Sequence, residues 1–324
     1  MFAQRKQPQT GSTMKQHIHN LSEAHLQQRS MVTIGVFDGV HRGHQYLVKR
    51  LVEEARASDR LAVVLTFFPH PDIVLRGLQG HYYLTTAEQK AKLLMDLGVN
   101  VVVTHPFNEQ VRQIRAADFV DQLVGHLNME ELWVGSDFAM GYKREGNVPF
   151  LKEQGKHKKF TVHDIDLIQN GGAAAISSTA IREALQSGQV EQANSWLGRA
   201  YSVSGEVVHG EKRGRQLGFP TANTAVWDEQ VIPANGIYAS WVRLGNERFM
   251  AATNVGVRPH FQGQTVTIEP YLLDFDRDIY GETLEVTFET RLRPEAKFNS
   301  LQDLIDQIGR DVDATRAYLE AQQT

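Results

Sequence analysis

Apolar and polar positions divide the chain into two textures. From residue 32 to about residue 181, short β-branched runs alternate with stretches whose apolar residues recur every three or four positions. Runs at 32–36, 61–67, 99–104 and 131–134 predict buried strands, and stretches at 45–57, 87–97 and 117–127 predict helices. Strand-helix alternation implies a parallel sheet with right-handed crossovers. The first texture therefore predicts a Rossmann-like α/β domain, whose ligands bind beyond the carboxyl ends of the strands. Two short helical segments, 181–186 and 190–197, are separated by Ser187-Gly188 and read as a connector. From Tyr201 the pattern changes to strands bounded by turn residues, at 201–209, 236–244, 248–255, 265–274 and 283–289. Closely spaced strands without intervening helices predict antiparallel pairing in a small barrel. Helical spacing returns at 301–319, in a segment expected to pack on that barrel.

At 324 residues the chain exceeds the usual size of one hydrophobic core, so two domains are expected. The net charge of -4 provides no blanket basic surface and argues against a nucleic-acid partner. Absence of cysteine excludes disulfides, thiolate metal sites and a cysteine nucleophile, and is compatible with a reducing cytoplasm. No apolar run approaches the roughly 18 residues of a membrane span. Residues 1–13 are polar and glutamine-rich, without the apolar core of a secretory signal, and predict a disordered extension with Met14 as the natural start.

The candidate chemistry begins at Gly35-Val36-Phe37-Asp38-Gly39-Val40-His41-Arg42-Gly43-His44, on a predicted strand-to-helix turn. A helix N-terminus presents free N–H groups and a positive dipole end. Gly39 and Gly43 let a phosphate approach the backbone, and two imidazoles can donate to its oxygens. Two other readings stay open: surface histidines on a tight turn, or a zinc pair whose further ligands could only be Asp38 and His70. A second element, Ile176-Ser177-Ser178-Thr179-Ala180-Ile181-Arg182, follows Gly171-Gly172 and precedes a helix. Its hydroxyls suit phosphate oxygens, although Ser177 or Ser178 would serve equally as a helix cap.

Together, the H-x-G-H turn and the I-S-S-T-x-I-R segment resemble the nucleotidyltransferase superfamily, and the longer G-V-F-D-G-V-H-R-G-H string resembles its flavin adenylyltransferase branch. In the second half, the string from Val208-His209-Gly210-Glu211-Lys212-Arg213-Gly214-Arg215 through Gln216-Leu217-Gly218-Phe219-Pro220-Thr221-Ala222-Asn223 resembles the signature of riboflavin kinase. Asn254-Val255-Gly256-Val257-Arg258-Pro259, Ile268-Glu269-Pro270-Tyr271-Leu272-Leu273-Asp274-Phe275 and Tyr280-Gly281 fit the same family. From about Met14 to the C-terminal helix the chain resembles the bacterial bifunctional riboflavin kinase and FAD synthetase family.

The resemblance implies an α/β Rossmann-like nucleotidyltransferase domain at 14–185, a connector at 186–199 and a riboflavin kinase-like antiparallel β-barrel with a C-terminal helix at 200–324. It implies ATP over Gly35, Phe37, Asp38 and Gly39, with His41 and His44 stabilising charge on the phosphates. Ser177, Ser178, Thr179 and Arg182 would then hold the far end of the triphosphate. Asp137 and Phe138 match flavin-facing positions, where an ordinary turn aspartate is the alternative. In the kinase half it implies a phosphate loop of Gly210, Gly214, Arg215, Gly218 and Pro220, with Thr221 and Asn223 holding nucleotide and Mg²⁺. Asn254 and Arg258 would contact flavin, and Glu269 would be the general base. The implied ligands are riboflavin, FMN, FAD and ATP with Mg²⁺, in the cytoplasm, without membrane or nucleic acid; weak self-association stays open.

The sequence departs from the family at Phe138-Ala139-Met140-Gly141, where Phe-Arg-Phe-Gly is usual, leaving Lys143 or Arg144 to supply the charge. Pro270 and His260 also depart, both near the expected flavin edge. Three readings remain: a bifunctional enzyme, a riboflavin kinase with an impaired adenylyltransferase half, and a non-catalytic flavin- or nucleotide-binding regulator.

Overall fold

The computed structural model describes residues 15–165, 176–210, 213–260 and 263–323. The expected extension with Met14, the Gly171-Gly172 pair and Glu211-Lys212 lie outside the described residues, as do the side chains of Arg213, Arg258 and His260. The chain forms two compact units. The first takes its described residues from Met1–Phe37, His44–Arg76 and Ala87–Gly172, and the second from Asp38–Gly43, Gly77–Thr86 and Ala173–Thr324.

In the first unit, β1 (Gln16–Ile18), β2 (Ser30–Ile34), β3 (Leu61–Phe68), β4 (Val101–Pro106) and β5 (Met129–Gly135) precede a two-strand hairpin, β6 (Ala139–Met140) and β7 (Gly146–Asn147), and then β8 (Thr161–Ile165). Six of these make a parallel sheet in the order β1-β4-β3-β2-β5-β8. The helices are α1 (Arg42–Ala57), α2 (Pro71–Arg76), α3 (Ala87–Asp96), α4 (Glu109–Arg112), α5 (Ala116–Leu127) and α6 (Val148–Lys158), the first two residues of α1 belonging to the second unit. All five residues of β2 are buried, as a central parallel strand requires. On one side of the sheet, Phe119, Val120, Leu123 and Leu127 of α5 pack with Val32, Ile34, Val63 and Leu132.

The predicted strand at 32–36 runs instead from Ser30 to Ile34. Val36 has left the sheet, and its carbonyl accepts from Thr66 Oγ1 at 2.8 Å and from the buried Lys90 Nζ at 3.0 Å. The strand expected at 99–104 likewise begins later, because the Val99 amide closes on Leu94 O at the end of α3. The elements not predicted are short or polar. The edge strand β8 buries only Ile165 fully, and β1 spans three residues.

The second unit is built on a closed antiparallel barrel. Its strands are β9 (Tyr201–Val208), β10 (Asn223–Val226), β11 (Gly236–Leu244), β12 (Glu247–His260), β13 (Gly263–Leu272) and β14 (Thr283–Arg293), in the order β10-β13-β12-β11-β14-β9. Val203, Tyr238, Val242, Val255, Ile268, Leu284, Val286 and Phe288 belong to its apolar core. The pair α7 (Ser178–Gln186) and α8 (Val190–Leu197) extends that core with Ile181, Leu185, Val190 and Leu197. Asn194 on α8 bonds the carbonyl of Phe288 and the amide of Tyr201. After the short α9 (Arg213–Gln216), α10 (Leu301–Ala321) covers the outer side of β11, where Leu319 packs with Ala239 and Trp241. Burial on both faces explains why β11 reads as an almost continuous apolar run rather than an alternation. The four-residue β10 was not predicted; it closes the barrel against β9, where a Cβ on Gly205 would lie 2.1 Å from the Ala225 carbonyl oxygen.

Helix α10 is also tied down by charge. Arg293 donates to both carboxylate oxygens of the buried Asp311, with Nη2 to Oδ2 at 2.7 Å, and Gln307 donates to Oδ1 at 2.9 Å. Removing one partner of such a pair leaves the other charge poorly solvated. Asp311→Ala is therefore expected to cost about 3 kcal/mol, and Asp311→Asn less. Urea denaturation followed by tryptophan fluorescence would check this, and an unchanged midpoint for Asp311→Ala would contradict it.

Candidate functional site

The turn after β2 carries positive φ at Phe37 (51°), Gly39 (76°) and Val40 (41°). A β-branched residue in that region is strained and persists only where its surroundings hold it. In the second unit Asp38 supplies much of the restraint. Its buried carboxylate accepts from the amides of Leu84 and Thr85 at 3.1 and 3.2 Å, and from Arg182 Nη2 at 2.6 Å. Ser178 Oγ donates to the Asp38 carbonyl at 2.9 Å, and the Gly39 amide donates to Thr85 Oγ1 at 3.3 Å. Arg199 Nη2 donates to Gly39 O at 2.8 Å, and its Nη1 to Val40 O at 3.4 Å. A Cβ on Gly39 would lie 2.7 Å from Leu84 Cδ1, so only glycine fits here.

The segment that supplies Leu84 and Thr85 is itself stitched to the barrel. The amides of Tyr82 and Tyr83 donate to Glu229 O, the Val231 amide donates to Tyr83 O, and the Tyr83 ring lies 4.7 Å from that of Trp227. Arg182 Nε donates to Tyr82 O at 2.6 Å, and its guanidinium covers the Tyr82 ring at 4.0 Å. Tyr201, at the start of β9, donates to Val231 O at 2.6 Å, and burial holds its hydroxyl far above the usual range.

His41 is 6% exposed. Burial pushes its pKa down to about 4; the neighbouring Asp38 pulls it up and Arg199 pushes it further down. A Cβ on Gly43 would lie 3.3 Å from His41 Cε1 and Nδ1, so the imidazole rests against the first turn of α1. Ser177 caps α7 by accepting from the Ala180 amide at 3.1 Å, while Thr179 is exposed on the first turn. The structure thus brings Asp38, Gly39, His41, Ser178 and Arg182 together in the second unit. Thr85, Tyr82 and Arg199 join them. These three gave no sequence signal, since each acts through a neighbour remote along the chain.

The remaining predicted residues of this half belong to the first unit. A Cβ on Gly35 would lie 2.9 Å from the Phe37 ring, and the Phe37 and His44 rings meet edge to face at 5.1 Å. Asp137 is exposed, and Phe138 packs partly buried against the core. At the departure from the family pattern, Met140 is buried in that core and Ala139 pairs with Asn147 in the hairpin. Of the two candidate replacements for the missing base, Arg144 reaches back, its Nη2 donating to Asp137 O at 3.2 Å. Lys143 instead lies 5.3 Å from the Tyr142 ring.

The kinase-like residues meet at one end of the barrel. Register places Asn254 of β12 opposite Glu269 of β13, and the Ala222 amide donates to Pro270 O at 2.9 Å. The Thr221-Ala222-Asn223 segment therefore runs beside the strand that bears Glu269. The Phe219 ring meets Tyr271 at 5.4 Å, and the Phe219 amide donates to Gly214 O at 2.8 Å, closing the loop. Pro220 and Arg215 lie exposed on that loop, and Gly218 takes φ 86°. A Cβ on Gly210 would collide with the Asn223 carboxamide at 2.2 Å, and one on Gly214 would come within 3.3 Å of Thr221 Oγ1. The Thr221 hydroxyl and the Asn223 amide oxygen are hard donors of the kind that would suit Mg²⁺. The His209 and Tyr280 rings meet at a tilt beside this loop, their centroids 3.9 Å apart. Arg258 lies on β12, opposite Thr265.

Two family models match the chain: FAD synthetase over residues 23–180 and riboflavin kinase over residues 197–319. The bifunctional riboflavin kinase/FMN adenylyltransferase of Listeria monocytogenes is 38% identical over 290 residues, covering 89% of this chain and 92% of its own. That of Escherichia coli K12 is 38% identical over 296 residues, covering 91% and 94%, and that of Bacillus subtilis is 34% identical over 299 residues, with the same coverage. A crystal structure from Streptococcus pneumoniae, described as a macrolide-efflux protein, superposes with a TM-score of 0.84 at 31% identity, covering 94% of this chain and 99% of that one. In the present chain, no helix among the described residues is long and apolar enough to cross a membrane. With relatives at this identity aligned along nearly their whole length, and with both halves matched in order, the chain belongs to the bifunctional riboflavin kinase/FMN adenylyltransferase family.

Proposed function

We propose that this chain makes FMN from riboflavin in its C-terminal half and FAD from FMN in its N-terminal half, using ATP in both steps. The observation that carries the kinase step is the bond from the Ala222 amide to Pro270 O, which sets Thr221 and Asn223 alongside Glu269. Glu269 takes the proton of the riboflavin 5′-hydroxyl as its oxygen bonds to the γ-phosphorus and the bond to the β–γ bridging oxygen breaks, releasing ADP. Thr221 and Asn223 hold Mg²⁺, which when bound neutralises charge on the phosphate oxygens. The glycine loop from Gly210 to Gly218 orients the nucleotide, and Asn254 with Arg258 orients the flavin. Matches to both families, in order, favour this reading over a riboflavin kinase with an impaired adenylyltransferase half and over a non-catalytic regulator.

In the second step an FMN phosphate oxygen bonds to the α-phosphorus of ATP and pyrophosphate leaves. The negative charge that builds on the phosphates needs donors already in place. His41 serves as a neutral imidazole donor, and the N-terminus of α7 with Ser177, Ser178 and Thr179 receives phosphate oxygens. Asp38 and Arg182 keep the turn in shape through their ion pair. Arg144 supplies the positive charge at the Asp137 turn that the family's usual arginine would supply. The cysteine-free composition accords with a reducing cytoplasm.

Separate sites make separate losses. Glu269→Gln is expected to slow FMN formation by about 100-fold or more while conversion of supplied FMN to FAD stays within about twofold. Steady-state assays of each step would check this, and loss of both steps in a folded variant would contradict it.

Protonation of His41 has a consequence for stability. In the unfolded chain a histidine titrates near 6.5, and in the folded chain His41 titrates at about 4, so the unfolded state binds the proton first. Its contribution is whole above pH 6.5 and is lost as the pH falls towards 4. Between pH 7 and 4.5 the wild type should lose about 2 kcal/mol more than His41→Gln. Denaturant titrations at both values would measure it, and equal losses would contradict the burial of a neutral His41.

A further inference from the structure

The residue that holds the carbonyls just before His41 does not come from the half of the sequence that matches FAD synthetase. Arg199 falls within the stretch that matches riboflavin kinase, two residues before β9 opens the barrel. Its guanidinium reaches Gly39 O and Val40 O, the two carbonyls that precede His41 in a turn with positive φ at both residues. We propose that Arg199 is a positioning residue for adenylyl transfer, holding the His41 turn from the kinase side of the sequence. This inference rests on the adenylylation reading given above and adds to it a residue outside the motifs that suggested it.

The physical case is one of strain and restraint. Left to itself, a Val residue at φ 41° relaxes to negative φ, which re-aims the next residue. The carboxylate of Asp38 restrains the turn upstream of Gly39, through Leu84, Thr85 and Arg182. Downstream of it, Arg199 bonds both carbonyls at once, and a planar guanidinium can do so in a fixed geometry that an ammonium cannot reproduce. Arg199 also donates to Leu197 O at the end of α8, and Leu197 packs within reach of a Cβ built on Gly39. The guanidinium is thus braced by α8 and braces the turn. Burial lowers its pKa to about 10, leaving it charged at neutral pH. Because it bonds backbone carbonyls and not the reacting groups, its effect on the reaction passes through His41.

The test is a double-mutant cycle on the full chain with Arg199→Gln, His41→Ala and the double variant, each assayed for FAD formation from FMN and for FMN formation from riboflavin. Arg199→Gln is expected to lower kcat for FAD formation by about 10- to 100-fold with little change in KM for ATP or FMN. Riboflavin phosphorylation should stay within about twofold, reporting an intact barrel. On the His41→Ala background the same substitution should cost only about twofold, because its effect runs through the side chain already removed. Arg199→Lys keeps the charge and guards against a folding defect in Arg199→Gln; it should recover part of the lost kcat. Unchanged FAD formation in Arg199→Gln, full additivity with His41→Ala, or parallel loss of both activities in Arg199→Lys would each overturn the proposal while the wild type still makes FAD. A wild type that makes no FAD would overturn the functional reading, and this inference with it.

Discussion

The turn that carries His41 depends on one buried ion pair, between Asp38 and Arg182, whose side chains are 3% and 9% exposed and whose nearest atoms lie 2.6 Å apart. A carboxylate so far from water is tolerable only when it is paired and hydrogen-bonded, and the amides of Leu84 and Thr85 complete the pairing. Remove that arrangement, and the strained turn loses its restraint upstream of Gly39. The placement of His41 on this turn and the approach allowed by Gly39 both presuppose it. The same pair explains why the H-x-G-H string and the Ser-Ser-Thr segment occur in one chain: Ser178 and Arg182 meet Asp38 directly although 140 and 144 residues separate them.

That separation also marks the limit of what the sequence conveys. The central strands and the amphipathic helices were legible because burial on a parallel sheet or against a barrel imposes a period, as in β2, α5 and β14. Val190–Leu197 and Gly236–Leu244 have the bounds that the pattern predicts. Short or half-exposed elements such as β1, β8 and β10 carry too few apolar positions to register. At the turn, the histidines and glycines were visible as residue types suited to phosphate. That Asp38 and Arg182 meet each other was not, because on a string of letters nothing marks which charges will pair. Arg199 and Thr85 were silent for the same reason.

In the kinase-like half the frame and the chemistry are harder to separate. A closed barrel leaves no free sheet edge, so its strands hold register over long distances. That register is what sets Asn254 opposite Glu269 and brings Ala222 alongside Pro270. The loop glycines act by absence, since a single Cβ at Gly210 would occupy the space of the Asn223 carboxamide. Pro270 is a departure from the family pattern, and its carbonyl bonds the Thr-Ala-Asn segment. In the first unit, beyond the Ala139 departure, Arg144 Nη2 donates to Asp137 O.

The central claim is that one chain performs both steps in succession. It is tested most directly by a time course of the purified protein with riboflavin, ATP and Mg²⁺, with the flavins resolved by chromatography. FMN should rise first and then give way to FAD, with one pyrophosphate released for each FAD formed. Accumulation of FMN with no FAD, or no turnover at all, would contradict the account.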